Sequence, residues 1–169
     1  MPVKLGLMKR HQANLDSYVL FVDLVKAFDS VDRIALDAVL EKSGVPPKLR
    51  SVIMALHSNV KIQISMGDEK VTFSNLMGVV QGGTLSPTLF IIFVHAFVST
   101  LDTSQWKVPV YRTKDDAVLN GRSMFVKGGE SFESPCSFYA DDSAFVFCGR
   151  ADFDTGAVVI RDHYARWGL

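Results

Sequence analysis

The chain lacks any apolar run long enough to cross a membrane. Its longest apolar stretch, residues 89–98, is about half of the ~20 residues that a membrane-spanning helix needs, and His95 interrupts it. The basic N-terminal segment lacks the apolar core of roughly 7–15 residues that a secretory signal contains. These absences predict an intracellular protein, nuclear or cytoplasmic, that neither spans a membrane nor is secreted.

Cysteine is scarce, and the two cysteines, Cys136 and Cys148, flank one predicted hairpin. If Asp141 and Asp142 form the two-residue turn of this hairpin, Cys136 pairs with Phe147 across the strands and Cys148 projects from the other face. A disulfide between the two cysteines is therefore not expected. The sequence favours a reducing compartment.

Net charge is also absent, because 18 Lys and Arg residues balance 18 Asp and Glu residues. Phosphate backbones favour basic surfaces, so this balance is unusual for a complete enzyme of nucleic acids. Apolar residues make up 48% of the chain and charged residues 21%, which excludes an intrinsically disordered protein. At 169 residues the chain has the length of a single domain that can bury a core.

The predicted elements alternate in a mixed order, which indicates an α+β fold. Residues 1–14 show no clear period and are expected to pack loosely. Helices are predicted over about residues 31–43, 47–58, 86–100 and 151–167, and strands over 17–24, 60–64, 71–73, 108–111, 136–138 and 144–147. Residues 60–64 alternate apolar and polar, and a turn at residues 66–69 is predicted to join them to residues 71–73 as a hairpin. The rest of residues 102–133 is predicted to be a solvated loop.

Cap residues predict where two of these helices begin and end. Ser30 or Asp29 is the predicted N-cap of the helix at residues 31–43, and Gly44 is expected to end it. Ser86 is the predicted N-cap of an apolar helix that Pro87 opens. Both helices should therefore have sharp boundaries.

Acidic residues lie in apolar surroundings at two distant places. Asp141 and Asp142 follow Tyr139 between two apolar runs, a pattern typical of a tight β-hairpin with both carboxylates at its tip. Asp23 lies in the apolar run at residues 18–24, where an unpaired buried charge would be costly. Carboxylates that converge from separate strands can hold two magnesium ions ~4 Å apart for phosphoryl transfer. Turn chemistry alone also explains an Asp-Asp pair, so this motif by itself leaves both explanations open.

Three motifs resemble those of reverse transcriptases. Residues 21–31 (FVDLVKAFDSV) resemble motif A, residues 78–87 (GVVQGGTLSP) resemble motif B, and residues 138–142 (FYADD) resemble motif C, in the order and spacing of that family. They are most similar to enzymes of non-LTR retrotransposons and group II introns. The resemblance covers a palm core at residues 18–169, and residues 1–17 would be an N-terminal extension or a remnant of the fingers.

The resemblance implies a fold and an activity. The fold would be that of a polymerase palm, a ferredoxin-like antiparallel sheet with packed helices, partial fingers and no thumb. The activity would be RNA-directed DNA synthesis, with an RNA template, a DNA primer and deoxynucleoside triphosphates as partners. Two magnesium ions, replaceable by manganese, would be the cofactors. The oligomeric state stays open.

The resemblance also implies site residues, which fall into three groups. The catalytic metal ligands would be Asp23, Asp141 and Asp142, with Asp142 in a more supporting role. The incoming nucleotide would contact Leu24, the steric-gate ring of Phe28, Gln81 and Gly82, and the Leu24 carbonyl would be a further oxygen ligand in the metal pocket. Nucleic acid would contact Tyr139 and Gly83. Without the resemblance, a core aromatic just after a strand is the better explanation of Phe28.

Two other functions stay open at this point. Complete fingers would need more than residues 1–17, and the family's primer grip and thumb would follow residue 169. We therefore expect a truncated palm fragment that polymerises poorly alone, and the second hypothesis is a noncatalytic remnant that binds nucleic acid or a partner. A nucleotide cyclase or another palm-like enzyme is the third hypothesis, and it leaves residues 81–87 unexplained.

Overall fold

A computed structural model describes residues 2–12, 14–58, 60–75, 77–112, 117–119, 122–124, 131–139 and 141–169. The helices in these ranges are α1 (Pro2–Gln12), α2 (Ala27–Ser30), α3 (Arg33–Lys42), α4 (Pro47–His57), α5 (Ser86–Ser99) and α6 (Arg150–Trp167). The strands are β1 (Tyr18–Val22), β2 (Val60–Met66), β3 (Glu69–Asn75), β4 (Val110–Arg112), β5 (Ala117–Leu119), β6 (Arg122–Met124), β7 (Ser131–Glu133), β8 (Cys136–Tyr139) and β9 (Asp142–Phe147). None of these helices is long and apolar enough to cross a membrane.

The chain divides into two compact units. Unit 1 comprises Met1–Asp23 and Asp102–His163, and unit 2 comprises Leu24–Leu101 and Tyr164–Leu169.

Unit 1 is built on an antiparallel sheet in the strand order β1-β9-β8. Strand β9 is buried along Ser143–Phe147 because it lies between the other two strands. The Phe147 ring packs edge-on against Phe153 of α6, with ring centroids 5.5 Å apart, and Gly156 leaves no room for a side chain against that ring. One face of the sheet is thus closed by α6.

Helix α1 of unit 1 packs against β8. The Arg10 side chain fastens the end of this helix, since its guanidinium donates hydrogen bonds to Ser17 Oγ (2.9 Å), to the Cys148 carbonyl (3.3 Å) and to the Asp16 carbonyl. The prediction of a loosely packed segment over residues 1–14 is therefore wrong. The helix is thus held by packing on β8 and by the hydrogen bonds of Arg10.

Unit 2 has a helical core. Helices α3, α4 and α5 and the segments beside them contribute the buried residues Val31, Leu36, Leu40, Ile53, Val79, Phe90 and Phe93. Trp167 packs edge-on against Phe93, with ring centroids 5.1 Å apart. Arg50 of α4 forms ion pairs with Asp37 (3.6 Å) and Glu41 (3.1 Å) of α3.

The β2-β3 hairpin of unit 2 matches the predicted alternation. Met66 pairs with Glu69 around a Gly67-Asp68 turn, as predicted, and the pairing extends to Asn75. The pairs Ile62 with Phe73 and Ile64 with Val71 place apolar side chains on one face of the hairpin. These side chains are exposed.

Two predicted helix starts are wrong. Val31 is extended and fully buried, so the helix predicted over residues 31–43 begins only at Arg33, as α3. Its N-cap is Asp32 and not Ser30 or Asp29, and the Asp32 carboxylate accepts a hydrogen bond from the Ala35 backbone N–H (2.7 Å). Ser86 is the first residue of α5 and not its N-cap, because its hydroxyl donates to the Val80 carbonyl. Gly44 does end α3, with φ 81°.

The hairpin at residues 136–147 differs in register from the prediction. Tyr139 pairs with Asp142, so Asp142 begins β9, and Cys136 pairs with Phe145 and not with Phe147. The shift is two residues, which leaves every side chain on its predicted face. Both thiols are free, as predicted. Burial raises the pKa of the Cys136 thiol to about 11, so it is a thiol and not a reactive thiolate near neutral pH.

The region over residues 102–133 also contains more structure than predicted. Strand β4 pairs with β7, and β5 pairs with β6. Residues 113–116, 120–121 and 125–130 of the predicted loop, and Ala140 of motif C, lie outside the described residues.

Candidate active site

Two of the predicted acids lie at the same end of neighbouring strands in unit 1. Val22 of β1 pairs with Ser143 of β9, and the Ser143 hydroxyl donates to the Val22 carbonyl (3.3 Å). Asp23 and Asp142 are the next residues beyond this pair, and both are exposed. Antiparallel pairing thus brings together two carboxylates that are far apart in the sequence.

Asp23 and Asp142 also line one cavity of about 1140 Å³. Its other walls come from Leu7 and Met8 of α1 and from Phe21 and Tyr139 of the sheet, among others. Tyr139 is 83% exposed, so its ring is accessible on this side of the hairpin. The cavity combines apolar walls with two carboxylates, an arrangement typical of a binding site with few polar anchors.

Asp141 occupies the turn between Tyr139 and Asp142, and it is partly buried. It does not line the cavity that Asp23 and Asp142 share. In the part of the chain that the structure describes, no group of three or more Asp, Glu, His or Cys side chains could hold a metal ion. The structure therefore brings two of the three predicted acids together, and the assignment of Asp141 as the surer metal ligand stays a prediction.

The donor set nevertheless fits a hard divalent cation. Carboxylate oxygens are the ligands that magnesium prefers. Among the described residues, neither Asp23, Asp141 nor Asp142 forms an ion pair. Two basic side chains, Lys4 and His11, line the same cavity as Asp23 and Asp142.

The residues predicted to contact the nucleotide lie in unit 2. Phe28 is partly buried, and its ring stacks on Phe90 of α5 with centroids 4.8 Å apart and an interplanar angle of 30°. The explanation of Phe28 as a core aromatic is thus supported, and the steric-gate role stays a prediction. Leu24 packs against the same core. Gln81 and Gly82 are exposed, and Gly83 is partly buried.

The segment at residues 78–85, here called the motif B loop, is fastened to motif A through the backbone. The Gly78 N–H donates to the Val31 carbonyl (3.1 Å), and the Val79 N–H donates to the Phe28 carbonyl (2.8 Å). Gly78 has φ 75°, and a Cβ there would lie 2.5 Å from both Asp29 Cα and the Phe28 carbonyl oxygen. Glycine is required at this position because the two segments are in contact.

Arg33 was not predicted as a site residue. Its guanidinium donates to the carbonyls of Asn75 (3.3 Å), Met77 (3.0 Å) and Gly78 (2.8 Å), which lead into the motif B loop. From the sequence alone Arg33 is an ordinary basic residue near a helix start. No local signal points to partners that lie more than forty residues away.

Comparisons with known proteins assign the family. The family model described as reverse transcriptase (RNA-dependent DNA polymerase) matches residues 4–169. The chain therefore belongs to the reverse transcriptase family.

Two relatives describe the match further. The chain is 35% identical over 108 residues to the retrovirus-related Pol polyprotein from type-1 retrotransposable element R2 of Bradysia coprophila, and the match covers 60% of this chain and 12% of the polyprotein. A structure of apo telomerase from Candida tropicalis, truncated from its C-terminal domain, superposes with a TM-score of 0.54 at 16% identity, covering 98% of this chain and 32% of that one. The first supports the predicted non-LTR type, and the second confirms the palm-type α+β fold. The chain spans only a minor part of either relative.

Proposed function

We propose that this chain is the palm-containing part of an RNA-directed DNA polymerase, which adds deoxynucleotides to a DNA primer on an RNA template. One observation carries the proposal. In a chain of the reverse transcriptase family, Asp23 and Asp142 lie at the same end of two paired strands and line one cavity. Family membership also favours a polymerase over the nucleotide cyclase hypothesis.

In this proposal the chain's own residues position the reactants. Asp23, Asp141 and Asp142 would hold two magnesium ions, which manganese can replace. When bound, these ions supply activation of the primer 3′-hydroxyl and charge neutralisation of the triphosphate and the departing pyrophosphate. The exposed Tyr139 ring would support the primer terminus.

Unit 2 would provide nucleotide selection. The Phe28 ring, held by Phe90, would exclude a ribose 2′-hydroxyl. Gln81, Gly82 and Gly83 would lie against the nucleotide and the template, since glycine permits close approach of the backbone. Residues 18–169 would then be the reverse transcriptase core that the motifs predict.

The first test is primer extension on an RNA template with magnesium and all four deoxynucleotides. We expect DNA product from the full-length gene product that contains this chain. We expect the 169-residue chain alone to be at least about 100-fold slower, because loss of substrate positioning has costs of this order. Similar rates for both proteins would contradict the second expectation.

The second candidate function is that of a noncatalytic remnant that binds nucleic acid or a partner. It is favoured by the finding that, within the described ranges, three acidic side chains do not converge into one metal site. Failure of the full-length gene product to extend a primer, with all three acids intact, would support this candidate over the polymerase.

Magnesium should raise the melting temperature of the chain. Nearby carboxylates repel one another without a cation, and an ion that binds only the folded state stabilises it. At about ten times the dissociation constant we expect about 1.4 kcal/mol, or roughly 3–5 °C at this chain length. Differential scanning fluorimetry with increasing magnesium measures this shift.

Asn substitutions decide where the magnesium binds. Asp23→Asn and Asp141→Asn should each remove most of the shift in melting temperature. Asp68→Asn is the matched control, because Asp68 also follows the first residue of a two-residue hairpin turn. An undiminished shift in both site variants would show that magnesium binds elsewhere.

A further inference from the structure

Arg33 lies in unit 2 at the first position of α3, and its guanidinium donates hydrogen bonds to three backbone carbonyls. Its Nε donates to the Gly78 carbonyl (2.8 Å), and one terminal nitrogen donates to the carbonyls of Met77 (3.0 Å) and Asn75 (3.3 Å). Among the described residues it forms no ion pair. A planar guanidinium can satisfy several carbonyls in a fixed geometry, which an ammonium group cannot do.

The carbonyls that Arg33 holds form the entrance to the motif B loop. Directly after them, the Gly78 and Val79 N–H groups donate to the carbonyls of Val31 and Phe28. The same short stretch of chain is therefore held from one side by the Arg33 side chain and from the other by the backbone around Phe28. A change at Arg33 acts on the segment that fixes the Phe28 backbone.

The C-terminal end of the motif B loop is connected to the Phe28 ring through α5. The Ser86 hydroxyl donates to the Val80 carbonyl, and the Gly83 N–H donates to that carbonyl as well (3.0 Å). Phe90, about one turn after Ser86 in α5, stacks on Phe28. Contacts thus run from Phe28 through the loop to α5 and back to the Phe28 ring.

Gln81 and Gly82 stand exposed between these two fixed ends. Gly82 has φ 83°, and no atom of a described residue lies within 4 Å of a Cβ built there, so little packing defines the position of this part of the loop. Its position depends on the anchors before and after it. The anchor before it includes the three hydrogen bonds of Arg33.

We propose that Arg33 is a positioning residue for the incoming nucleotide, which holds the motif B loop at a fixed distance from the Phe28 ring. The inference rests on the proposed polymerase function. Arg33 touches neither the nucleotide nor the metal ions in this scheme. It sets the affinity for the deoxynucleotide and the discrimination against ribonucleotides through the two groups that it orients.

The test uses single-nucleotide primer extension by the full-length gene product. For Arg33→Gln we expect KM for the deoxynucleotide to rise about tenfold or more, since small displacements of positioning groups have effects of this size, while kcat stays within about threefold. The ratio of kcat/KM for deoxynucleotide over ribonucleotide should fall by a similar factor. Arg33→Lys keeps the positive charge but loses the planar array of N–H donors, so we expect a KM between those of the parent protein and Arg33→Gln.

Arg50→Gln is the matched structural control. Arg50 lies in the same unit and donates to the Asp37 carbonyl (3.3 Å) as well as to carboxylates of α3, and among the described residues its guanidinium has no hydrogen bond to the motif B loop. It should lower the melting temperature without changing KM. If Arg33 had only a structural role, Arg33→Gln would likewise lower the melting temperature and leave KM unchanged.

The outcomes separate the inference from the proposed function. An unchanged KM and an unchanged nucleotide discrimination in Arg33→Lys and Arg33→Gln, with an active parent protein, would overturn the inference alone. If Arg33→Gln does not fold, KM and discrimination of Arg33→Lys decide. An inactive parent protein would overturn the proposed function and the inference with it.

Discussion

Asp23→Asn or Asp141→Asn in the full-length gene product should lower the rate of primer extension by about 10³-fold or more. The loss corresponds to roughly 4 kcal/mol of transition-state stabilisation. A neutral amide binds a divalent cation much less tightly than a carboxylate does, and both ions of a two-metal site are needed to stabilise the attacking and the leaving oxygens. The rate of single-nucleotide addition at saturating substrate measures this loss.

Asp68→Asn is the control for Asp141→Asn, because both acids lie in two-residue hairpin turns and the Asp68 turn is outside the proposed site. It should leave the rate unchanged.

Asp142→Asn should have a smaller effect than Asp141→Asn if Asp142 has the supporting role that the family resemblance implies. The cavity suggests the opposite order, since Asp142 and not Asp141 lines it with Asp23. Full activity of Asp23→Asn would contradict the two-metal proposal.

Local patterns were sufficient to predict the strands outside residues 102–133 and the helices α3, α4, α5 and α6. Alternation of apolar and polar residues defined the β2-β3 hairpin, and Gly67-Asp68 located its turn. A shift of two residues in the other hairpin could not be excluded from the sequence, because it leaves the same side chains on each face. It does change the placement of the acids, since Asp142 lies in a strand and Asp141 in the turn.

The errors concern residues that long-range contacts control. Helix α1 shows no apolar period, and the hydrogen bonds of Arg10 to Ser17 and Cys148 hold its end. The interruption at Val31 has a similar cause, because Val31 is buried in the core and its carbonyl accepts the Gly78 N–H. Cys148 is 138 residues from Arg10, and Gly78 lies in a different element from Val31, so a local pattern reaches neither partner.

The candidate site was predictable in its residue types and only partly in its geometry. Motif resemblance selected Asp23, Asp141 and Asp142, and the register of β1 with β9 brings Asp23 and Asp142 together. The anchoring of the motif B loop was not predictable, because Arg33 contacts main-chain carbonyls, which carry no sequence signal. Residue identity thus gives the chemistry of a site more readily than its supporting contacts.

Gly78→Ala should destabilise the chain by about 3 kcal/mol or more. Two costs combine at this position. The backbone has φ 75°, which is unfavourable for any residue with a Cβ, and the added Cβ would lie 2.5 Å from Asp29 Cα and from the Phe28 carbonyl oxygen. Because both neighbours are backbone atoms, a side-chain rotation cannot relieve the contact.

Gly44→Ala separates these two costs. Gly44 has φ 81° in the same unit, and no atom lies within 4 Å of a Cβ built there. Its substitution should therefore have only the conformational cost of about 1 kcal/mol. Chemical denaturation of both variants measures the difference, which we expect to be about 2 kcal/mol or more in favour of Gly44→Ala. Equal losses for the two variants would show that motif A and the motif B loop are not in contact at Gly78.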